Sequence, residues 1–132
     1  MNKLTKILAA TILSVSVANA SDVMQKSMTI MQDGIEKVQY GFINNNASMI
    51  KEGLTKIEKG NSLFSEEAVI KKYLPSDKKH MSNIAVNSAK RIAADATIIG
   101  LNLEDKAYTK AAEGYADMMN ACSRCHGLVR SW

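Results

Sequence analysis

The chain has 132 residues, 46% apolar and 23% charged, which is room for one domain with a buried core and not the composition of a disordered segment. Aromatics at 5% and a single proline (Pro75) argue against a β-sandwich or barrel and point to helices. The formal charge of +4 is modest and scattered along the chain, so neither a nucleic-acid surface nor docking on anionic lipid is indicated.

Residues 1–20 read as a secretory leader. Lys3 and Lys6 supply the positive start, Ile7 to Val17 is a short apolar run, and Ala18-Asn19-Ala20 is a small-x-small cleavage site. The run is too short for the ~20 residues that span a bilayer. No cysteine follows the cleavage site, so no lipid anchor is indicated, and no later segment has the length and apolarity of a span. The expectation is a mature domain over residues 21–132, exported to the periplasm, with a charge of about +2.

Four helical stretches follow from spacing. Met24, Met28, Met31, Ile35, Val38 and Phe42 fall on one face of a first helix, with Ser21 or Asp22 as its cap. Asn44-Asn45-Asn46 breaks it. Ala47, Ile50, Leu54 and Ile57 mark a second helix expected to stop at Gly60. Residues 61–77 form a long connection that holds either a short helix or a plain loop. A third helix is expected from Ser76 or Asp77, with Met81, Ala85, Ser88, Ile92, Ala96 and Ile99 as its buried stripe and Gly100 as its end. A fourth is expected from about Asn102 to the C-terminus, with Tyr108, Ala112, Tyr115, Met119, Cys122 and His126 on its buried face. Long helices joined by short turns predict an all-α domain, an antiparallel up-down-up-down four-helix bundle.

Cys122-Ser123-Arg124-Cys125-His126 is the CxxCH signature of covalent haem attachment. Two thiols on one helical turn add to the two vinyl groups of the porphyrin, and the adjacent imidazole reaches the iron as proximal ligand. In an exported protein a cysteine pair otherwise defaults to a disulfide, but that leaves His126 without a role. A zinc site needs further ligands, and the only other histidine, His80, stands alone. A thiol-exchange CxxC belongs in a βαβ setting that this pattern lacks.

A CxxCH at the extreme C-terminus of a helical bundle, behind a leader, resembles the cytochrome c prime family and its low-spin relatives. Arg130, four residues after His126, matches the arginine that family carries beside the proximal imidazole. Val129 departs from it, standing where an aromatic is usual, as does the short Ser131-Trp132 ending. The resemblance implies one covalent haem c with its iron at one end of the bundle. It implies a distal residue from the first turns of helix one, and it places Met28 there, with Met24 second and Met31 one turn deeper. Methionines at this spacing also serve as core filler. His80 is the alternative distal ligand. Lys78, Lys79 and Arg124 are candidates to neutralise the haem propionates or to form a docking rim.

Two functions are thereby expected to compete. With Met28 on the iron the protein is a periplasmic electron carrier working through transient redox partners. With the methionines only packing, the iron is five-coordinate and binds NO or CO. Nothing in the chain suggests catalysis of bond-making. Family relatives are often homodimers, and one sequence shows no interface.

Overall fold

Two turns built on left-handed residues set the helix lengths. The computed structural model describes the backbone of residues 18–130 and the side chains of residues 23–130; the expected leader lies outside these except for its last three residues, which begin the first helix. The elements are α1 (Ala18–Ile43), α2 (Ala47–Ser62), α3 (Glu67–Tyr73), a 3-10 turn (Ser76–Met81), α4 (Ser82–Glu104) and α5 (Tyr108–Val129). The described chain is all-helical. None of its helices is long and apolar enough to cross a membrane.

Asn45, at φ 51°, ends α1, and the Asn46 N–H closes back on the Gly41 carbonyl at 2.8 Å. The Asn46 side chain then caps α2 by accepting from the Met49 N–H at 3.0 Å. Lys106, at φ 57°, does the same for α4, with the Ala107 N–H on the Asn102 carbonyl at 2.7 Å and the Lys106 N–H on Leu103 at 3.2 Å. So the third long helix runs four residues past Gly100, and the last begins at Tyr108 rather than near Asn102. The residues from Ser76 to Met81 are 3-10, and the α-helix behind them starts at Ser82. The undecided connection contains α3, whose Ile70 is buried, as is Leu74 just beyond it.

Gly60 is not a stop either. It sits inside α2, at a place where α1 comes too close for a side chain: an added Cβ would lie 2.8 Å from the Ser27 carbonyl oxygen. Gly34 and Gly41 on α1, and Gly53 and Gly60 on α2, recur every seven residues and so share one face on each helix. A Cβ on Gly53 would stand 2.5 Å from the Gly34 oxygen, and one on Gly41 2.8 Å from the Asn46 oxygen. Partner numbers fall on α2 as they rise on α1, so the two helices run antiparallel with backbones in contact. Ser27, fully buried, donates to the Gly60 carbonyl at 2.6 Å across the same seam.

The other long helices also meet with opposed directions. Gly114 on α5 lies against Ile99 on α4. Further along, Arg91 grips Asp95 through its Nε at 2.8 and 2.9 Å and reaches Asp117 on α5 at 2.8 Å. Asp95 is 1% exposed, a carboxylate placed in the interior with its cation supplied from one turn earlier. Between α2 and α4, Asn61 donates to the Ala89 carbonyl at 2.9 Å. The core fills the space among them with Val38, Ile57, Ile99 and Met118, each essentially inaccessible.

Spacing misassigned the buried face of α5. Tyr108 and Ala112 are exposed, while Ala111, Gly114, Met118 and Ala121 are buried, one residue out of phase with the expected stripe. At Gly114 α4 comes close, an added Cβ there standing 3.0 Å from Ile99 Cγ1, while Met118 on the same stripe is fully buried. The Tyr115–Met119–Cys122–His126 edge is left half-buried, turned partly toward α1, where the rings of Phe42 and Tyr115 meet at 5.9 Å.

Candidate cofactor site

α1 and α5 pack against each other far more sparsely than α1 does on α2 or α4 on α5, and the candidate site lies between them at the end of the molecule away from the asparagine and lysine turns. A small cavity of about 60 Å³ lies there. Met24 and Met28 line it from α1, Cys125, His126, Val129 and Arg130 from the end of α5, and Phe64 and Ile70 from the α2–α4 connection. Five of the expected site residues thus converge from helices about one hundred positions apart. Cys122, one turn earlier on α5, is half-buried beside it.

Other candidates lie elsewhere. Met31 is buried in the α1–α2 seam with its sulfur 4.0 Å from Ser27 Oγ. His80 stands exposed on the 3-10 turn and is not part of the cavity wall. Arg124 lines a separate groove between α4 and α5, with Asn87, Ser88 and Arg91. Lys79 is exposed and Lys78 half-buried, neither lining the cavity. Phe64 and Ile70 were not anticipated as site residues. The available signal was that Phe64 is one of only two phenylalanines and pairs with Leu63 in a polar stretch, and that Ile70 ends the short apolar run Ala68-Val69-Ile70.

The environment sets the chemistry of the three CxxCH side chains. Burial, and next the neighbouring Cys125, pushes the Cys122 thiol up to about 11. Burial also raises Cys125. Burial first and the Arg130 cation second hold His126 below its ordinary value, which keeps a neutral nitrogen lone pair over a wider pH range. Both cysteines are free thiols. A thiol-exchange enzyme needs the reverse arrangement, a thiolate stabilised at a helix N-terminus, whereas these thiols lie in the last turns of α5, at the negative end of its dipole.

This predicts a specific pH profile for the haem-free protein. Iodoacetamide should label Cys122 slowly at neutral pH, with the rate climbing as pH approaches about 11. The raised value also means the native state holds its proton more tightly than the unfolded chain does. The contribution is therefore complete below the unfolded value near 9 and is lost as pH rises toward 11. Rapid labelling of Cys122 at pH 7 in a folded sample would contradict this account.

Two thiols on one helical turn, a neutral imidazole beside them and thioethers on the facing helix form a donor set that suits a covalently anchored haem. Among the described residues, no three of His, Cys, Asp and Glu gather as a metal-holding group, and a structural zinc needs four ligands. The cavity is smaller than a porphyrin, so taking one up requires α1 and α5 to part at this end. What must yield there is methionine, the most adaptable apolar side chain, on half-buried positions packed against the core edge. The α1–α2 seam, with backbone on backbone, has no such give. Comparison with protein-family models, with curated proteins and with solved structures finds no match, so the functional reading rests on the chain's own residues.

Proposed function

We propose that this chain is an exported c-type cytochrome that carries single electrons between transient protein partners in the periplasm. In this reading α1, α2, α4 and α5 form an antiparallel four-helix bundle, Cys122 and Cys125 hold one haem c through thioethers, and His126 and Met28 are its iron ligands. The observation that carries it is the meeting of Met24 and Met28 with Cys125, His126 and Arg130 on one cavity. A bound haem supplies a one-electron iron couple, whose potential rises with thioether ligation.

The chain's own residues do the rest. Cys122 and Cys125, three apart on one helix, tether the group so that it stays in a small open domain. His126 offers a neutral nitrogen, kept so by burial and by Arg130. Met28 offers a soft thioether from the facing helix, with Met24 one turn away as the next choice. Phe64, Ile70 and Val129 wall the cavity with apolar surface and limit water there. Two side-chain ligands, His126 and Met28, held on two helices would leave little to rearrange when an electron arrives or leaves.

An absorption spectrum of the haem-loaded protein tests the assignment. Low-spin ferric and ferrous spectra are expected, with the long-wavelength sulfur-to-iron charge-transfer band of the ferric form lost in Met28→Ala. A high-spin ferrous wild type that takes up CO or NO at once would replace the electron carrier with a gas-binding protein. Retention of the band in Met28→Ala and its loss in Met24→Ala would move the ligand to Met24.

A further inference from the structure

Resting on the cytochrome reading, we propose that the CxxCH end of the molecule docks onto an acidic protein surface. The chain's charges look scattered in sequence, but the fold sorts them. Residues 23–31, 58–82 and 122–130 meet at this end: Met24, Met28, Phe64, Ile70, Cys125, His126, Val129 and Arg130 share one cavity, Ser27 bonds Gly60, and Glu67 accepts from Ser82. These segments carry eight lysines and arginines against four acids, whereas residues 32–57 and 83–121 carry seven against eight.

Pairing sharpens the contrast. Away from this end, Lys37 pairs with Glu52, Lys51 with Glu104, Lys56 with Asp33, and Arg91 with Asp95 and Asp117, and the exposed cations without an ion pair, Lys90, Lys106 and Lys110, are matched by Glu36, Asp105 and Glu113. At the CxxCH end Lys71 pairs with Glu67. Lys26, Lys59, Lys72, Lys79, Arg124 and Arg130 are exposed and have no ion pair among the described residues, against three such acids at the same end, Glu58, Glu66 and Asp77. The fields of these cations add around the one edge where an electron would leave, and an acidic partner is steered to that edge rather than to the rest of the surface.

The same distribution favours a protein over a lipid surface. Membrane docking needs apolar side chains beside the cations. The four most exposed large apolar residues, Ile43, Leu101, Tyr40 and Tyr108, stand at the opposite end, and among the described residues this end has only the less exposed Val23 and Leu63.

The test uses the mature, haem-loaded protein labelled with nitrogen-15 and titrated with poly-L-glutamate. Amide shifts are expected to cluster in residues 23–31, 58–82 and 122–130 and to vanish at high salt. The variant K72E/K79E should bind about tenfold more weakly. K106E/K110E makes the same change in net charge at the other end and should bind within about twofold of wild type. Hexacyanoferrate should oxidise the reduced protein more slowly as salt rises, and K72E/K79E should flatten that dependence. Shifts spread evenly over the molecule, equal weakening by the two variants, or tighter binding to phosphatidylglycerol–phosphatidylcholine vesicles than to the polymer would overturn the proposal. The amide shifts read this patch whether or not haem is attached, so failure here and failure of the cytochrome reading are separately visible.

Discussion

Coexpressed with a cytochrome c maturation system, the wild-type chain is expected to leave the cell heavier by one haem, ~616 Da, and the C122S/C125S variant to gain nothing. The effect is all-or-none because a thioether needs a sulfur, and serine keeps the size of cysteine without it. Both positions are half-buried on the outer edge of α5 rather than in its inner stripe of Ala111, Gly114, Met118 and Ala121, so the exchange spares the core. The double variant should therefore remain helical by circular dichroism, which separates lost attachment from lost folding. His126→Ala tests the third member: haem that still attaches should lose its low-spin spectrum, since the imidazole is the only histidine on the cavity. Intact-mass measurement decides the matter. A wild-type protein correctly processed and still without added mass would end the cytochrome assignment, while the fold would stand.

The second large effect is on stability. Gly53→Val is expected to cost about 3 kcal/mol or more, read as a lower midpoint in urea, because the new side chain meets backbone that cannot step aside. Its Cβ alone would stand 2.5 Å from the Gly34 oxygen and 2.9 Å from the Val38 nitrogen. Even Gly53→Ala should destabilise, although alanine is the better helix former by about 1 kcal/mol. Gly100→Ala supplies the opposite sign. Nothing lies within 4 Å of a Cβ there, so only the gain in helix propensity remains, and the midpoint should rise. Two identical substitutions in two helix interiors thus separate propensity from packing. If both glycines tolerated alanine equally, the close α1–α2 seam would be wrong.

That pair also shows where reading from residues alone went astray. Gly60 and Gly100 look like helix stops in the sequence, because glycine favours the left-handed conformation that ends helices. Here that conformation falls to Asn45 and Lys106, and Gly60 serves to let another backbone approach. Local sequence carries no record of which neighbour will come near, so the two uses of glycine look alike in one dimension. The same blindness shifted the buried face of α5 by one residue. The periodicity of Tyr108, Tyr115, Cys122 and His126 is real, but Ala111, Gly114, Met118 and Ala121 have the same period, and only the position of α4 against α5 selects between the two stripes.

What the sequence determined by itself is whatever depends on near neighbours along the chain. The placing of Cys122, Cys125 and His126 on one turn of α5 is set by their spacing in the chain. The helical class follows from 3.6-residue periodicity, and the α1 and α4 faces from stripes that the structure buries at Met31, Val38, Ala85, Ser88, Ile92, Ala96 and Ile99. What only the tertiary structure decided depends on distance through space. It brought Met24 and Met28 to Cys125 and His126, added Phe64 and Ile70 from the connection before α4, and left His80 and Arg124 off the cavity wall. It also gathered scattered lysines and arginines at one end. Coulomb attraction and van der Waals contact act across space, and a linear pattern records them only where the chain's own geometry keeps residues together.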